Sequence, residues 1–185
     1  MANIDAPMGL QPLTSPNGTI KATLYPITVA YGTALYRGDP VLMTTTGTVE
    51  VATTTVMLGA AIGFYDVDLA PLNYYVASTA TQCYALVADD PMQEFLMQED
   101  SDGASLALAD MFGNGTIVAT VVGSTITGLS GYELDSSTVD ATAANSIRVS
   151  RLHRVTGNAY GTHGKYVVSI NNHQKSVGIV GVGLA

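Results

Sequence analysis

No stretch of this chain repeats its apolar residues at the 3.6-residue spacing of a long helix. Instead, strand-length runs rich in Val, Thr, Ala and Tyr are cut repeatedly by Gly or Pro, as in "RGDP", "TTGT", "LAPLN", "ADDP" and "THGK". A first strand is expected in "TIKATLYPITV", opened by Asn17-Gly18, a dipeptide suited to the positive φ angles of a tight turn. Further strands are expected at roughly 40–45, 48–52, 56–65, 73–77, 82–88, 92–98, 116–122, 130–134, 146–154 and 165–171. The same "NGTI" recurs at 114–117 and is read as a second turn. One helix is expected at 104–112, capped by Ser101 or Asp102 and stopped by Gly113. Many short strands with at most one short helix predict an all-β fold, a β-sandwich or barrel of short antiparallel strands.

Residues 1–18 differ from the rest. Pro7, Pro12 and Pro16 push their predecessors into extended geometry and cannot donate to a central strand. This predicts an extended N-terminal arm ahead of a single β domain at 19–185. Ile4, Pro7, Met8, Leu10 and Leu13 are its expected contact residues. They need cover, either from the chain's own body or from a partner.

Charge narrows the function classes. Only 12% of residues are charged, about half the usual fraction of roughly 25%. So few charges suggest that part of the surface is buried against other chains. Residues 1–147 hold all fifteen acids against Lys21 and Arg37, a net −13. Residues 148–185 hold Arg148, Arg151, Arg154, Lys165 and Lys175 without an acid, a net +5. A basic last fifth is complementary to acidic surface on its own fold or on a neighbour. The overall sign disfavours nucleic acid. No apolar run approaches the roughly 20 residues of a membrane helix, and none reads as a signal peptide. With Cys83 the sole cysteine, no intrachain disulfide can form.

The stretch "VADDPMQEFLMQEDSD" carries Asp89, Asp90, Glu94, Glu99, Asp100 and Asp102. Asp89-Asp90-Pro91 reads as a turn. On the strand that follows, Glu94 and Glu99 fall on opposite faces, so no paired-carboxylate site is expected. The acids read as a wet surface. A cation at Asp100 and Asp102 is the functional alternative, although the spacing of a calcium loop is not met. His153, His163 and His173 lie ten residues apart, which is no local metal pattern. A histidine site on a three-fold axis is the remaining metal option. Ser130 lacks the G-x-S-x-G elbow, and no phosphate-cradling loop or cofactor motif is present. Neither an enzyme nor a cofactor is expected.

In "SIRVSRLHR", Ile147, Val149, Arg151 and His153 share one face and Arg148, Ser150, Leu152 and Arg154 the other. This is either an edge strand defended by charge or an intersubunit strand whose Arg148, Arg151 and Arg154 meet a neighbour's carboxylates. The uncharged end, 176–185, should be paired or covered.

"MANIDAPMGLQP" at the start, "STITGLSGYELDSST" at 124–138, "INNHQ" at 170–174 and the "ADDP…QEDS" stretch resemble tailed-bacteriophage capsid decoration, or cement, proteins. The resemblance runs from the arm to the end of the chain, with Met8 and Leu10 where aromatic residues would be expected. It implies a β-rich, non-enzymatic virion protein. Such a protein would assemble in the host cytoplasm and sit on the outer capsid surface. It would associate with itself as a trimer and bind the major capsid protein across joints between capsid subunits. A surface-displayed carbohydrate-binding β module for host adhesion is the alternative.

Overall fold

The structure, a computed structural model, describes residues 3–13, 15, 18–53 and 55–176. Among them, twelve strands form two antiparallel six-stranded sheets, and the one helical element is a 3-10 turn at Leu108–Asp110. The first sheet runs, in spatial order, β1 (Gln11–Pro12), β8 (Glu94–Gln98), β12 (Lys165–Ile170), β11 (Ile147–Leu152), β9 (Asn114–Ala119) and β10 (Tyr132–Asp140). The second runs β2 (Ala22–Pro26), β7 (Tyr84–Ala88), β5 (Gly59–Tyr65), β3 (Pro40–Met43) and β4 (Val49–Val51), with β6 (Pro71–Leu72) also on β5. The fold is all-β. No helix among the described residues is long and apolar enough to cross a membrane.

Each sheet curls until its ends meet. Glu99, just past β8, bridges Leu134 of β10 in parallel, and Ile27, just past β2, bridges Val49 of β4 in parallel. The inherent twist of paired strands favours such curling, and ends that meet leave little open edge. Pro12 and Pro26 lie on the first strand of each spatial order, where a missing donor does least harm.

Two cores result. Leu10, Phe95, Met97, Leu106, Leu134, Ile147, Val149, Tyr166 and Val168 fill the first. Ile27, Leu35, Val41, Val49, Phe64, Tyr75, Ala85 and Val87 belong to the second. Each large side chain buried this way contributes about 1.5–3 kcal/mol. β5 serves both. Ala60 faces the first core and Ala61 the second, as alternation requires. A register shift between Ala61 and Gly63 then returns Phe64 to the second core. The sheets are also tied by Met57, which bridges His173, and by Gln174, whose side-chain amide bonds the backbone of Met43 in both directions.

The arm docks on this body through two glycines. Gly9 sits at φ +67° and Gly38 at φ +95°. A Cβ on Gly9 would come 2.3 Å from the Gly38 carbonyl oxygen, and one on Gly38 would come 2.3 Å from that of Met8. The close approach lets the Leu10 amide donate to the Gly38 carbonyl at 2.8 Å.

Several expectations are corrected. Residues 104–112 do not form a helix beyond the 3-10 turn, because their backbone bonds elsewhere. The Leu106 carbonyl accepts from the Gly161 amide and the Tyr166 hydroxyl, while the Phe112 amide donates to Val149. Residues 73–77 form no strand, Tyr75 making only an isolated bridge to Leu35. Asn114-Gly115 opens β9 rather than turning. β10 runs on to Asp140, well past the expected 134. The basic segment is an inner strand, flanked by β12 and β9, so it is not an edge. A bulge between Val149 and Arg151 also turns Arg151 away from the face of Ile147 and Val149. Asn17 and residues 177–185, and with them the expected first turn and most of the uncharged end, lie outside the described residues.

Candidate functional site

Arm and basic strand come first. Ile4 is 78% exposed, and Pro7, Met8 and Leu13 are half-buried. Leu10 is a core residue, which corrects its assignment as a partner contact: its cover is its own chain. Arg151 is likewise occupied within the chain, by Glu94. Arg148 is exposed, with its guanidinium carbon 5.8 Å from the centre of the Phe112 ring, and Arg154 is exposed.

The carboxylates of 87–102 do not form a wet face. Asp89, Glu99 and Asp100 are buried. Asp89 accepts hydrogen bonds from the Tyr25 hydroxyl at 2.6 Å and from Lys175. Burial pushes its carboxyl up, but these bonds outweigh that and hold it below the ordinary range. Asp90 does form the expected turn, its Oδ1 accepting from the Met92 amide at 2.9 Å. Burial raises Glu99 to about 7, against the Ser136 hydroxyl and the His163 and Gly164 amides that face it. None of these reaches it with normal hydrogen-bond geometry.

Apolar side chains reach the surface at several places, exposed Leu108 and Phe112 among them, and two of these places stand out. On the outer face of the second sheet, Leu24, Tyr65, Leu69 and Leu86 line a shallow depression of about 220 Å³. The loop at 120–128 carries Val122 and Ile126, 86% and 89% exposed. This loop is braced. Gly123 lies so close to the Tyr36 ring that a Cβ there would come within 2.2 Å of it, and Tyr36 stacks on Tyr74 at 5.2 Å. Asn73 donates to the Thr125 and Ile126 carbonyls, and the Gly128 amide donates to Ser124 at 2.7 Å.

A polar cleft of about 250 Å³ lies where the arm crosses the first sheet, lined in part by Asp5, Asp100, Asp102, Glu133 and His163. Gln98 Nε2 stands among Asp5 Oδ1 at 3.3 Å, Glu133 Oε1 at 3.2 Å and His163 Nδ1 at 3.3 Å. Its Oε1 accepts from the Ala6 amide at 3.1 Å. Glu133 is buried, and its other oxygen accepts from the Thr120 hydroxyl. Burial pushes the Glu133 carboxyl up, against that bond. Asp100 and Asp102 form a second cluster with Asp135, in which Ser136 donates to both Asp100 and Asp102. Sequence reasoning weighed Asp100 and Asp102 but missed Asp5, Gln98 and Glu133. No local motif could have found them, since the residues of the cleft come from the arm, β8, β10 and the turn before β12.

No family model matches the chain, and neither the curated proteins nor the solved structures contain a match to it.

Proposed function

We propose that this protein is a structural, non-catalytic component of a phage virion that docks on the outer capsid surface across joints between capsid subunits and stabilises the shell. The observation that carries this reading is the braced loop at 120–128. Exposing Val122 and Ile126 on a mobile loop would be a folding liability; holding them on a rigid one is what an anchor for a partner's pocket requires. The sparse charge and the resemblance of the arm and of residues 124–138 to capsid decoration proteins point the same way. A ligand that binds only the assembled shell stabilises it by RT ln(1 + [L]/Kd), about 2.7 kcal/mol per site at a hundredfold excess over Kd. Many equivalent sites multiply that, so modest contacts suffice. Self-association as a trimer belongs to the same proposal and would raise the avidity.

The test replaces Val122 and Ile126 together by Ser and measures cosedimentation with the capsid shells of the phage. Lost binding at unchanged melting temperature supports the reading, and undiminished binding removes it. The carbohydrate-binding alternative has weaker support. Exposed Phe112 already lies near Arg148, and Gly123 abuts the ring of the stacked Tyr36. A glycan array on which the protein binds while ignoring shells would favour it.

A further inference from the structure

We infer that the cleft under the arm is a binding site for a divalent ion of the zinc or manganese type, held by Asp5, Glu133 and His163. Their ligand atoms lie within 4.8 Å of one another. Three atoms bound to one ion at about 2.0–2.2 Å stand at most about 4.4 Å apart, so small side-chain movements close the set. Two carboxylates and an imidazole suit zinc, manganese or iron. Calcium and magnesium prefer oxygen alone.

The centre of the triad is at present shared by one side-chain amide. Gln98 Nε2 has two hydrogens and stands at the long end of hydrogen-bonding distance, 3.2–3.3 Å, from Asp5 Oδ1, Glu133 Oε1 and His163 Nδ1. With His163 Nδ1 unprotonated, two hydrogens serve three acceptors, and Gln98 itself is fully buried. Acceptors crowded round an overcommitted donor are the arrangement a cation satisfies better. No lysine or arginine among the described residues pairs with Asp5 or Glu133; His163, its Nδ1 3.8 Å from Asp5 Oδ1, offsets their charge only when protonated. His163 is fixed by its backbone at φ +58°, in the left-handed region that histidine enters more readily than most residues.

The ligands come from separate parts of the chain. Asp5 is on the arm, Glu133 on β10 and His163 in the turn before β12. The ion therefore fastens the start of the arm to the body. The contacts already there, from Asn3 to the Ala159 and Thr162 carbonyls and from the Ala6 amide to Gln98, hold the arm close enough for Asp5 to reach.

The experiment is calorimetric titration of the untagged, chelator-treated full chain with zinc chloride, and separately with manganese chloride. Hydrogen exchange of the arm peptide is followed in parallel. One saturable site per chain is expected, with exchange of residues 3–8 slowed when it fills. Asp5→Asn and His163→Asn should each weaken binding by about tenfold or more. Both side chains are at least partly exposed, so these variants keep the fold even if Glu133→Gln does not. No saturable binding of either ion at millimolar concentration overturns the proposal. So does binding that survives both variants but is lost on Asp135→Asn, which would place the ion in the neighbouring cluster. Equal affinity for calcium overturns the ligand assignment.

Discussion

Arg151 reaches across β12 to Glu94 on β8, its two terminal nitrogens donating to the two carboxylate oxygens at 2.6 and 2.7 Å. The bulge at Ser150 makes this possible by turning Arg151 onto the outer face. The guanidinium holds the Glu94 carboxyl below its usual range. The pair is exposed, so solvent screens most of its energy. We expect Arg151→Ala to destabilise the fold by no more than about 1 kcal/mol in urea unfolding. A larger loss would mean that the pair is shielded by something beyond this chain. Any salt dependence of shell binding should follow Arg148 and Arg154 rather than Arg151, which cosedimentation of the three alanine variants will show.

Leu10 and Ile4 separate the two uses of the arm. Leu10→Ala opens a cavity in the first core and should cost about 2–5 kcal/mol. Ile4→Ala should leave the urea midpoint where it is and lower affinity for the shell. If Leu10→Ala is as stable as the parent chain, the docked arm described above is not the arm in solution.

The glycine contact that docks the arm makes a sharper test. Gly9→Ala puts a methyl group against the Gly38 carbonyl and forces a residue with a Cβ to a positive φ. The arm should detach while the β body persists. The expected signature is rapid hydrogen exchange over residues 3–13 with the far-UV spectrum retained.

Asp39 predicts a pH dependence. It is buried, its Oδ2 accepting from the Tyr36 amide at 2.8 Å, and burial raises its carboxyl from 3.8 to about 6. Between those values the folded state holds the proton and the unfolded chain does not, so stability falls as pH rises from about 4 to about 6. Asp39→Asn should remove that loss, on the order of 2–3 kcal/mol above pH 6. The gain of the variant over the parent should grow across this window and then level. A gain that is the same at every pH would show that Asp39 does not titrate there.

His173 acts in the opposite sense. Burial lowers its imidazole from 6.5 to about 4, its Nδ1 accepts from the Lys175 amide, and its Nε2 is buried without a partner among the described residues. The unfolded chain takes up the proton first, so His173 makes stability fall as pH drops from 6.5 towards 4. In the folded protein its ring proton resonances should stay put down to about pH 5. Movement centred near 6.5 would contradict the burial.

Where side chains alternate, the sequence was readable. Ala85 and Val87 face the core between half-buried Tyr84 and Leu86, and the strand expected there formed. β10 was underestimated because Asp135, Ser136, Ser137 and Thr138 look like loop. Asp135 and Ser137 bond each other as a turn would, but Ser136 donates to Asp100 and Thr138 meets Thr116, both far along the chain, and no local pattern encodes those partners. The same holds for the acids at 87–102. Whether a carboxylate is buried depends on whether a Tyr25 or a Ser136 arrives from elsewhere. The cleft under the arm was invisible because its members share no spacing, and the reversal of Arg151 hung on one extra residue in a strand.

β5 presents neighbouring alanines to two different interiors. Neither half of the molecule can therefore melt alone without stripping the wall from the other. One residue inserted or deleted between Gly59 and Tyr65 would exchange the tenants of both rooms at once. The chain should lose its structure in a single sharp transition, with no half-folded species for a protease to catch.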